Sequence, residues 1–98
     1  MIEIRTSETF DKWFSGLRDQ QARRRIQARI DRMASGNLGD ARPVGEGISE
    51  ARIHYAGGYR LYFVQRGKLL IIMLAGGDKD TQDADIARAY SIAKQWKE

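Results

Sequence analysis

The sequence contains no cysteine, one histidine and one proline, and it has no long apolar segment. The lack of cysteine excludes a disulfide framework and a thiolate metal site, and one histidine excludes a zinc centre built from several histidines. The longest apolar run, Leu69–Ala75, is far shorter than a bilayer span. Residues 1–5 lack the basic and apolar regions of a secretory signal. We therefore expect a cytoplasmic protein that has neither of these two kinds of metal centre, and no residue pattern indicates a cofactor.

The chain has the length of one small domain and a moderately basic charge. Its 98 residues predict a single domain over residues 1–98, because no linker or internal repeat divides them. The 17 lysine and arginine residues outnumber the 13 aspartate and glutamate residues, which gives a net charge of +4 and a pI of about 9.7. This excess favours a polyanion or an acidic protein as the partner.

The N-terminal half predicts a short strand over residues 2–4, followed by two helices. Ser7 is a suitable N-cap for the first helix and Asp19 for the second, and Gly36 with Asn37 ends the second. Apolar residues recur every three or four positions in both helices, which predicts that each buries one face in a helical hairpin. These residues are Phe10, Trp13, Phe14 and Leu17 in the first helix and Ala22, Ile26, Ile30 and Met33 in the second.

The C-terminal half predicts an antiparallel sheet and a last helix. Residues 36–43 form a loop, and from Ile48 the pattern alternates as in a strand that returns as Tyr59–Gln65. The unbroken apolar run Leu69–Ala75 indicates a central strand covered on both faces. Asp80 is a suitable N-cap for a helix that continues to Lys97. Its apolar stripe consists of Ile86, Ala89, Tyr90, Ala93 and Trp96. The predicted fold is therefore α+β, in the order β-α-α-β-β-β-α, with a twisted sheet packed by the helical hairpin and the C-terminal helix.

The turn between the two alternating strands decides which side chains share a face. A two-residue Gly57-Gly58 turn sets Tyr55 opposite Arg60, whereas a three-residue loop that includes Ala56 sets His54 opposite Arg60. The second register places Arg52, His54, Arg60 and Tyr62 on one face. It places Ile53, Tyr59, Leu61 and Phe63 on the other. We favour the second register, because it gathers the polar groups on one side and the apolar groups on the other.

Six segments along the chain together resemble a known protein family. They are Phe10-x-x-Trp13, Ala22-Arg23-x-Arg25-Ile26-x-x-Arg29-Ile30-x-Arg32, Gly36-Asn37-Leu38-Gly39-Asp40, Val44-Gly45-Glu46-Gly47-Ile48-Ser49-Glu50-x-Arg52, Gly58-Tyr59-Arg60-x-Tyr62 and Gly76-Gly77-Asp78-Lys79-x-x-Gln82-x-x-Asp85-Ile86. In this order and over nearly the whole chain, they resemble the HigB-like "addiction module killer" branch of the RelE/ParE toxin superfamily.

The resemblance implies a toxin of a bacterial type II toxin–antitoxin pair. Most RelE-like and HigB-like members cut mRNA on the ribosome without a metal, whereas ParE-like members share the fold and poison DNA gyrase. The partner that the resemblance implies is a HigA-type helix-turn-helix antitoxin. The toxin–antitoxin complex then binds operator DNA through the antitoxin. Fold alone does not choose between the two activities.

The nuclease pattern of the family implies specific roles for residues of this chain. Metal-free RNA cleavage needs a group that takes the 2′-hydroxyl proton, cations beside the phosphate, and an acid for the leaving oxygen. Arg52 and His54 match the two basic strand residues of the family, Arg60 matches the arginine after the hairpin, and Lys79 the basic residue after the last strand. Arg52, Arg60 and Lys79 would then hold the scissile phosphate, with His54 and Asp78 moving protons.

RNA contacts outside that centre are also expected. Tyr62 is a candidate for stacking on a base, and Arg23 and Arg24 of the second helix are candidates for holding backbone phosphates. In the competing interpretation Tyr62 covers the groove, and the helix arginines form a solvated face or a surface for an acidic antitoxin segment.

Each candidate for the catalytic centre also has a purely structural interpretation. Arg52 could pair with Glu50 or Glu46, and Arg60 could belong to a structural ion pair. Lys79 could form a loop salt bridge with Asp78 or Asp80. His54 could be an ordinary surface residue. The leading hypothesis is therefore a ribosome-dependent mRNA endoribonuclease, the second a gyrase poison with the same fold, and the third a plain nucleic-acid-binding module.

Overall fold

A computed structural model describes residues 1–97 of the chain. The strands are β1 (Glu3–Thr6), β2 (Ala41–Gly45), β3 (Ile48–Ile53), β4 (Tyr59–Arg66) and β5 (Leu70–Asp78), and the helices are α1 (Glu8–Ser15), α2 (Gln20–Ala34) and α3 (Gln82–Gln95). This α+β architecture confirms the predicted fold class and adds one strand, β2, to the predicted order. The extra strand lies where residues 36–43 were predicted to form a loop. Pro43 fits there because β2 is an edge strand, where a missing backbone donor is tolerated.

The five strands form one mixed sheet in the order β1-β5-β4-β3-β2. Three of the pairings are antiparallel, as predicted, and β1 runs parallel to its neighbour β5. β5 therefore has neighbours on both sides, and its residues from Ile71 to Gly77 are all buried. This confirms that the apolar run is a central strand covered on both faces.

The helical hairpin packs on one face of the sheet, as the apolar stripes predict. The Ser7 side chain accepts a hydrogen bond from the backbone N–H of Phe10, and Asp19 accepts from the N–H groups of Gln21 and Ala22. Both predicted N-caps are therefore confirmed. The core on this face contains Phe10, Ile26, Ile30, Met33, Ala51, Ile53, Leu61, Phe63, Ile71 and Met73.

α3 packs on the opposite face, and its details differ from the prediction. Ala89 and Ala93 are buried against Tyr62, Ile72 and Leu74. Tyr90 is instead 37% exposed, so it does not belong to the buried stripe. The N-cap is Thr81 and not Asp80, because the Asp80 N–H donates to the side chain of Asp78 in the turn that precedes the helix.

The hairpin between β3 and β4 corrects the predicted register. Arg52, and not His54, lies opposite Arg60, and Ile53 lies opposite Tyr59. The chain between these strands includes Ala56 at a φ of 48° and a bond from the Gly58 N–H to the Tyr55 carbonyl, so the connection is longer than a three-residue loop. The observed register differs from the predicted one by two residues. Because side chains alternate between the faces of a sheet with a period of two, the predicted division of the strand residues between the two faces is still confirmed.

Candidate functional site

Arg52 and Arg60 project side by side from adjacent strands on the same face of the sheet. Together with His54 they line a depression of about 390 Å³, whose other walls come from the loop between β3 and β4. Three of the predicted catalytic residues therefore share one site. The structure brings them together because the two strands are paired there and His54 follows directly after the end of β3.

Asp40, just before β2, ties two of these side chains together. Its Oδ2 lies 2.6 Å from Nε2 of His54, and its Oδ1 accepts a hydrogen bond of 3.2 Å from Nη2 of Arg52. The hydrogen bond with His54, and then that with Arg52, holds the pKa of Asp40 below its usual value. Asp40 is therefore a carboxylate that orients His54, and the predicted pairing of Arg52 with Glu50 or Glu46 is replaced by this one.

Glu50 is completely buried one row further along the sheet, opposite Tyr62. Its carboxylate accepts hydrogen bonds of 3.3 Å from the Tyr62 hydroxyl and from Nε of Arg42. Nε of Arg60 lies 3.6 Å from the same carboxylate. Burial, and then the charge of Glu50, raises the pKa of the Tyr62 phenol. The ion pair with Glu50 therefore belongs to the packed interior and also fixes the direction of the Arg60 side chain.

Tyr62 does not have the placement that base stacking requires. Its side chain is fully buried, and its hydroxyl is used by Glu50. No face of the ring is open to a ligand, so the structure corrects the prediction that Tyr62 stacks on a base. The competing interpretation, in which the ring covers the floor of the groove, agrees with this placement.

The depression keeps unused positive charge. The guanidinium groups of Arg42, Arg52 and Arg60 are set against the two carboxylates of Asp40 and Glu50, which leaves a net positive site. The Nε atoms of Arg52 and Arg60 are buried, so the contact with a ligand would be made by the terminal nitrogens of the two guanidinium groups. The arrangement suits an anion such as a phosphate group.

The predicted residues Asp78 and Lys79 lie outside this depression. Asp78 ends β5 opposite Tyr59, and its side chain accepts from the Asp80 N–H at 2.8 Å, so it stabilises a turn. Lys79 follows it, and its carbonyl accepts from Gln82. Lys79 lines a separate shallow hollow. Among these described residues, Lys79 forms no ion pair with Asp78 or Asp80, so the predicted loop salt bridge is wrong.

Arg23 and Arg24 are exposed on α2, which packs on the other face of the sheet from Arg52 and Arg60. They line a groove of about 380 Å³ with Phe14, and the Arg23 guanidinium lies 5.9 Å above the Phe14 ring. They are therefore not part of the same site. This placement agrees better with a separate basic surface than with contacts beside the scissile phosphate.

Sequence reasoning missed Asp40 and named Glu50 only as a possible partner of Arg52. Asp40 was assigned to a loop, and no local pattern joins it to Arg52 or His54, because their contact depends on the unpredicted strand β2. Glu50 carried a signal, since it alternates onto the same face as Arg52 and Arg60. Glu50 lies two residues from Arg52 on β3 and diagonally across from Arg60 on β4, and opposite charges so placed are candidates for an ion pair.

Two further classes of site were searched for within residues 1–97. No group of three or more histidine, aspartate and glutamate side chains is placed to hold a metal ion together. No helix in that range has the length and apolar character needed to traverse a lipid bilayer.

The fold is that of a small α+β protein, and the family that the chain matches falls in the toxin-like group of toxin–antitoxin modules, which has a RelE/HigB-like fold. The chain belongs to the family of phage-derived proteins described as Gp49-like (DUF891), whose model matches residues 12–97. The match is to this family and not directly to RelE or ParE. An uncharacterized protein of Haemophilus influenzae is 46% identical over 94 residues, which covers 96% of this chain and 95% of that protein. No solved structure matches the chain. The family supports a toxin-like or addiction-module-like role.

Proposed function

We propose that this protein is the toxin of a type II toxin–antitoxin pair and cuts mRNA on the ribosome as a metal-independent endoribonuclease. The observation that carries the proposal is the opposed pair Arg52 and Arg60 with His54 beside them in one depression. A single phosphodiester linkage fits such a site, because both guanidinium groups can face one phosphate. ParE-like inhibition of gyrase gives these residues no chemical task.

His54 is the proposed general base. The Asp40 carboxylate can only accept a hydrogen bond, so Nε2 of His54 carries the proton and Nδ1 is left with its lone pair. Nδ1 takes the proton of the 2′-hydroxyl, and the 2′-oxygen forms a bond to phosphorus. The bond from phosphorus to the 5′-oxygen breaks, and that oxygen takes a proton from a water molecule, whose hydroxide then takes the proton held on Nδ1 of His54 and restores the neutral imidazole. Water reaches this residue because the His54 side chain is 72% exposed. The products are a 2′,3′-cyclic phosphate and a 5′-hydroxyl.

Arg52 and Arg60 stabilise the negative charge that the phosphate gathers in the transition state. Donors fixed beside such a charge contribute about 3–4 kcal/mol each in other enzymes. Asp40 and Glu50 hold the two arginines in place before RNA arrives. The site therefore needs little rearrangement when the substrate binds.

The proposed partner is a helix-turn-helix antitoxin that neutralises the toxin and carries the complex to operator DNA. The arginines of α2, including Arg23 and Arg24, offer it a basic surface away from the depression. An acidic antitoxin segment is complementary to this surface.

The test is to induce the protein briefly in bacteria, map RNA 5′ ends, and assay the supercoiling of plasmid DNA in the same cells. We expect new 5′ ends within translated mRNA, normal supercoiling, and loss of the new ends when Arg52 and Arg60 are both changed to glutamine. Changed supercoiling without new 5′ ends would show that the protein inhibits gyrase and is not a nuclease. Full toxicity of the folded double variant would rule out the depression as the active site.

A further inference from the structure

A second cavity lies beside the depression and has no role in the proposed chemistry. It has a volume of about 700 Å³ and lies between α1, α3 and the end of β5. Trp13 and Tyr59 are among its walls, with ring centroids 6.3 Å apart and planes inclined at 59°. Both rings are only partly buried, so they offer aromatic surface to a ligand in the cavity.

Two successive glycines of β5 let two walls of this cavity pack directly against the strand. Gly76 and Gly77 point to opposite faces of the strand, and a methyl group on Gly76 would meet the Trp13 ring while one on Gly77 would meet the Asp85 carboxylate. The glycines therefore let an aromatic ring and a carboxylate approach the strand backbone closely at the same point. Any larger residue would displace one of these two groups.

Asp85 supplies a fixed hydrogen-bond acceptor in the cavity. Its residue is only 7% exposed, and its Oδ2 accepts a bond of 2.5 Å from the Thr81 hydroxyl, which itself accepts from the Asp78 N–H. Within residues 1–97, this carboxylate forms no ion pair. One of its two oxygens is thus already used, so Oδ1 and the remaining lone pair of Oδ2 are left for a ligand.

The lining of the cavity also holds two cations. Lys12 and Arg88 both line it, one from each helix, and Asp78 lines it together with Asp85. A ligand with an aromatic ring, donors for Asp85 and a phosphate for the two cations satisfies all three features. A nucleotide has this composition.

We infer that this cavity binds one guanine nucleotide of the RNA, with its base against Trp13 and Tyr59 and its Watson–Crick edge on the Asp85 carboxylate. Guanine presents two adjacent N–H donors on that edge, whereas adenine, cytosine and uracil each place an acceptor beside a donor. A carboxylate, which only accepts, therefore selects guanine.

The cavity is placed to act together with the cleavage site. Tyr59 lines both the cavity and the depression that holds Arg52 and Arg60. Gly77, on the cavity wall, lies directly opposite Arg60. The inference deepens the proposed function and rests on it, since a guanine held here would fix which linkage reaches the arginines.

A binding experiment tests the cavity without depending on cleavage. The full chain is titrated calorimetrically with 3′-GMP, 3′-AMP, 3′-CMP and 3′-UMP. We expect 3′-GMP to bind most tightly, and Asp85→Asn to weaken its binding by about tenfold, the effect of losing one bidentate contact to a base. Asp83→Asn is the matched control, because Asp83 is an exposed carboxylate of the same helix outside the cavity.

The variants also separate ligand binding from folding. Trp13→Phe keeps an aromatic surface and Trp13→Leu does not, so 3′-GMP binding should survive the first change better than the second. Equal binding of the four nucleotides, or an unchanged affinity in folded Asp85→Asn, would overturn the guanine site. Binding of arginine amide in place of nucleotides would overturn it in favour of a protein partner.

Mapping of 5′ ends distinguishes failure of this inference from failure of the nuclease proposal. We expect guanine to be enriched at one fixed position beside the cut, and this enrichment to disappear in Asp85→Asn and persist in Asp83→Asn. Cutting without any guanine enrichment would refute the cavity assignment and leave the nuclease. Selective 3′-GMP binding without any cutting would refute the nuclease and leave the cavity as a nucleotide site.

Discussion

Arg52 and Arg60 lie directly opposite each other on β3 and β4, with both side chains on the same face of the sheet. Like charges in opposed positions destabilise a pair of strands. Asp40 and Glu50 offset this repulsion from either side, at 3.2 Å from Arg52 and 3.6 Å from Arg60. The fold thus maintains an unfavourable pair with two carboxylates, an arrangement that the proposed role of the pair in holding a phosphate would explain.

Changing Arg52 to glutamine should separate activity from stability. We expect mRNA cleavage to fall by about 100- to 1,000-fold, because one of the two groups beside the phosphate is lost. The free energy of unfolding should change by less than about 1 kcal/mol, because the Arg52 pair is partly exposed and the opposed charge is relieved. Primer extension on induced mRNA measures the first quantity, and urea unfolding of the purified variant measures the second.

Arg5→Gln is the matched control for this change. Arg5 is also a strand arginine in an ion pair, with Glu3, but it lies on β1 at one edge of the sheet. Its replacement should leave cleavage unchanged. Equal loss of cleavage in both variants would mean that net charge, and not the site, accounts for the effect.

The buried carboxylate of Glu50 should contribute strongly to stability. Glu50→Ala leaves the Tyr62 hydroxyl without its acceptor and removes the counter-charge of the Arg60 side chain, which is only 17% exposed. We expect the free energy of unfolding to fall by about 3 kcal/mol, as when one partner of a buried pair is removed. Tyr62→Phe removes a single hydrogen bond and should cost about 1 kcal/mol. Urea unfolding of both variants checks the order, and a smaller loss in Glu50→Ala than in Tyr62→Phe would contradict the assignment.

The helices and the division of strand residues between the sheet faces could be predicted from the sequence because local chemistry determines them. Ser7 and Asp19 bond to backbone N–H groups within three residues, and the strand alternation survives a register error of two. The strand β2 could not be predicted, because Pro43 and the neighbouring glycines are typical of loops. Its pairing depends on the distant strand β3.

The candidate site, like the fold, could be predicted from the sequence only where local patterns determine it. The alternating strands placed Arg52 and Arg60 on one face, whereas the sequence could not assign Asp40 as the partner of Arg52 and His54, since β2 sets its position. Lys79 and Asp78 were grouped with the arginines on resemblance, but the turn after β5 places them elsewhere. Long-range pairing decides these contacts, and one sequence carries little information about it.

Acid should weaken the fold partly through Asp40. The hydrogen bonds with His54 and Arg52 lower the pKa of Asp40 in the folded protein. Asp40 therefore stabilises the fold above its ordinary pKa of about 3.9, and this stabilisation is lost as the pH falls through the lowered pKa. In Asp40→Asn the free energy of unfolding should therefore decline less between about pH 5 and about pH 2. Urea unfolding across this range measures the slope. Asp19 also has a lowered pKa, chiefly through the Ala22 N–H, so some decline should persist; an unchanged slope would show that Asp40 does not contribute.

The contact between Trp13 and Gly76 should appear as a coupling energy. A methyl group on Gly76 would overlap the Trp13 ring, so Gly76→Ala should cost about 1–3 kcal/mol as an overpacked site. In a Trp13→Leu background the ring is absent, and the same change should cost at least about 0.5 kcal/mol less. Urea unfolding of the four proteins gives the coupling.

Gly36→Ala provides the control for this cycle. Gly36 has a φ of 98°, and nothing lies within 4 Å of an added methyl group, so its substitution is strained by the backbone alone. Its cost should be the same with and without Trp13. If the cost of Gly76→Ala is also the same with and without Trp13, the Trp13 ring can move away from the strand. Trp13 would then not be a fixed wall of the cavity.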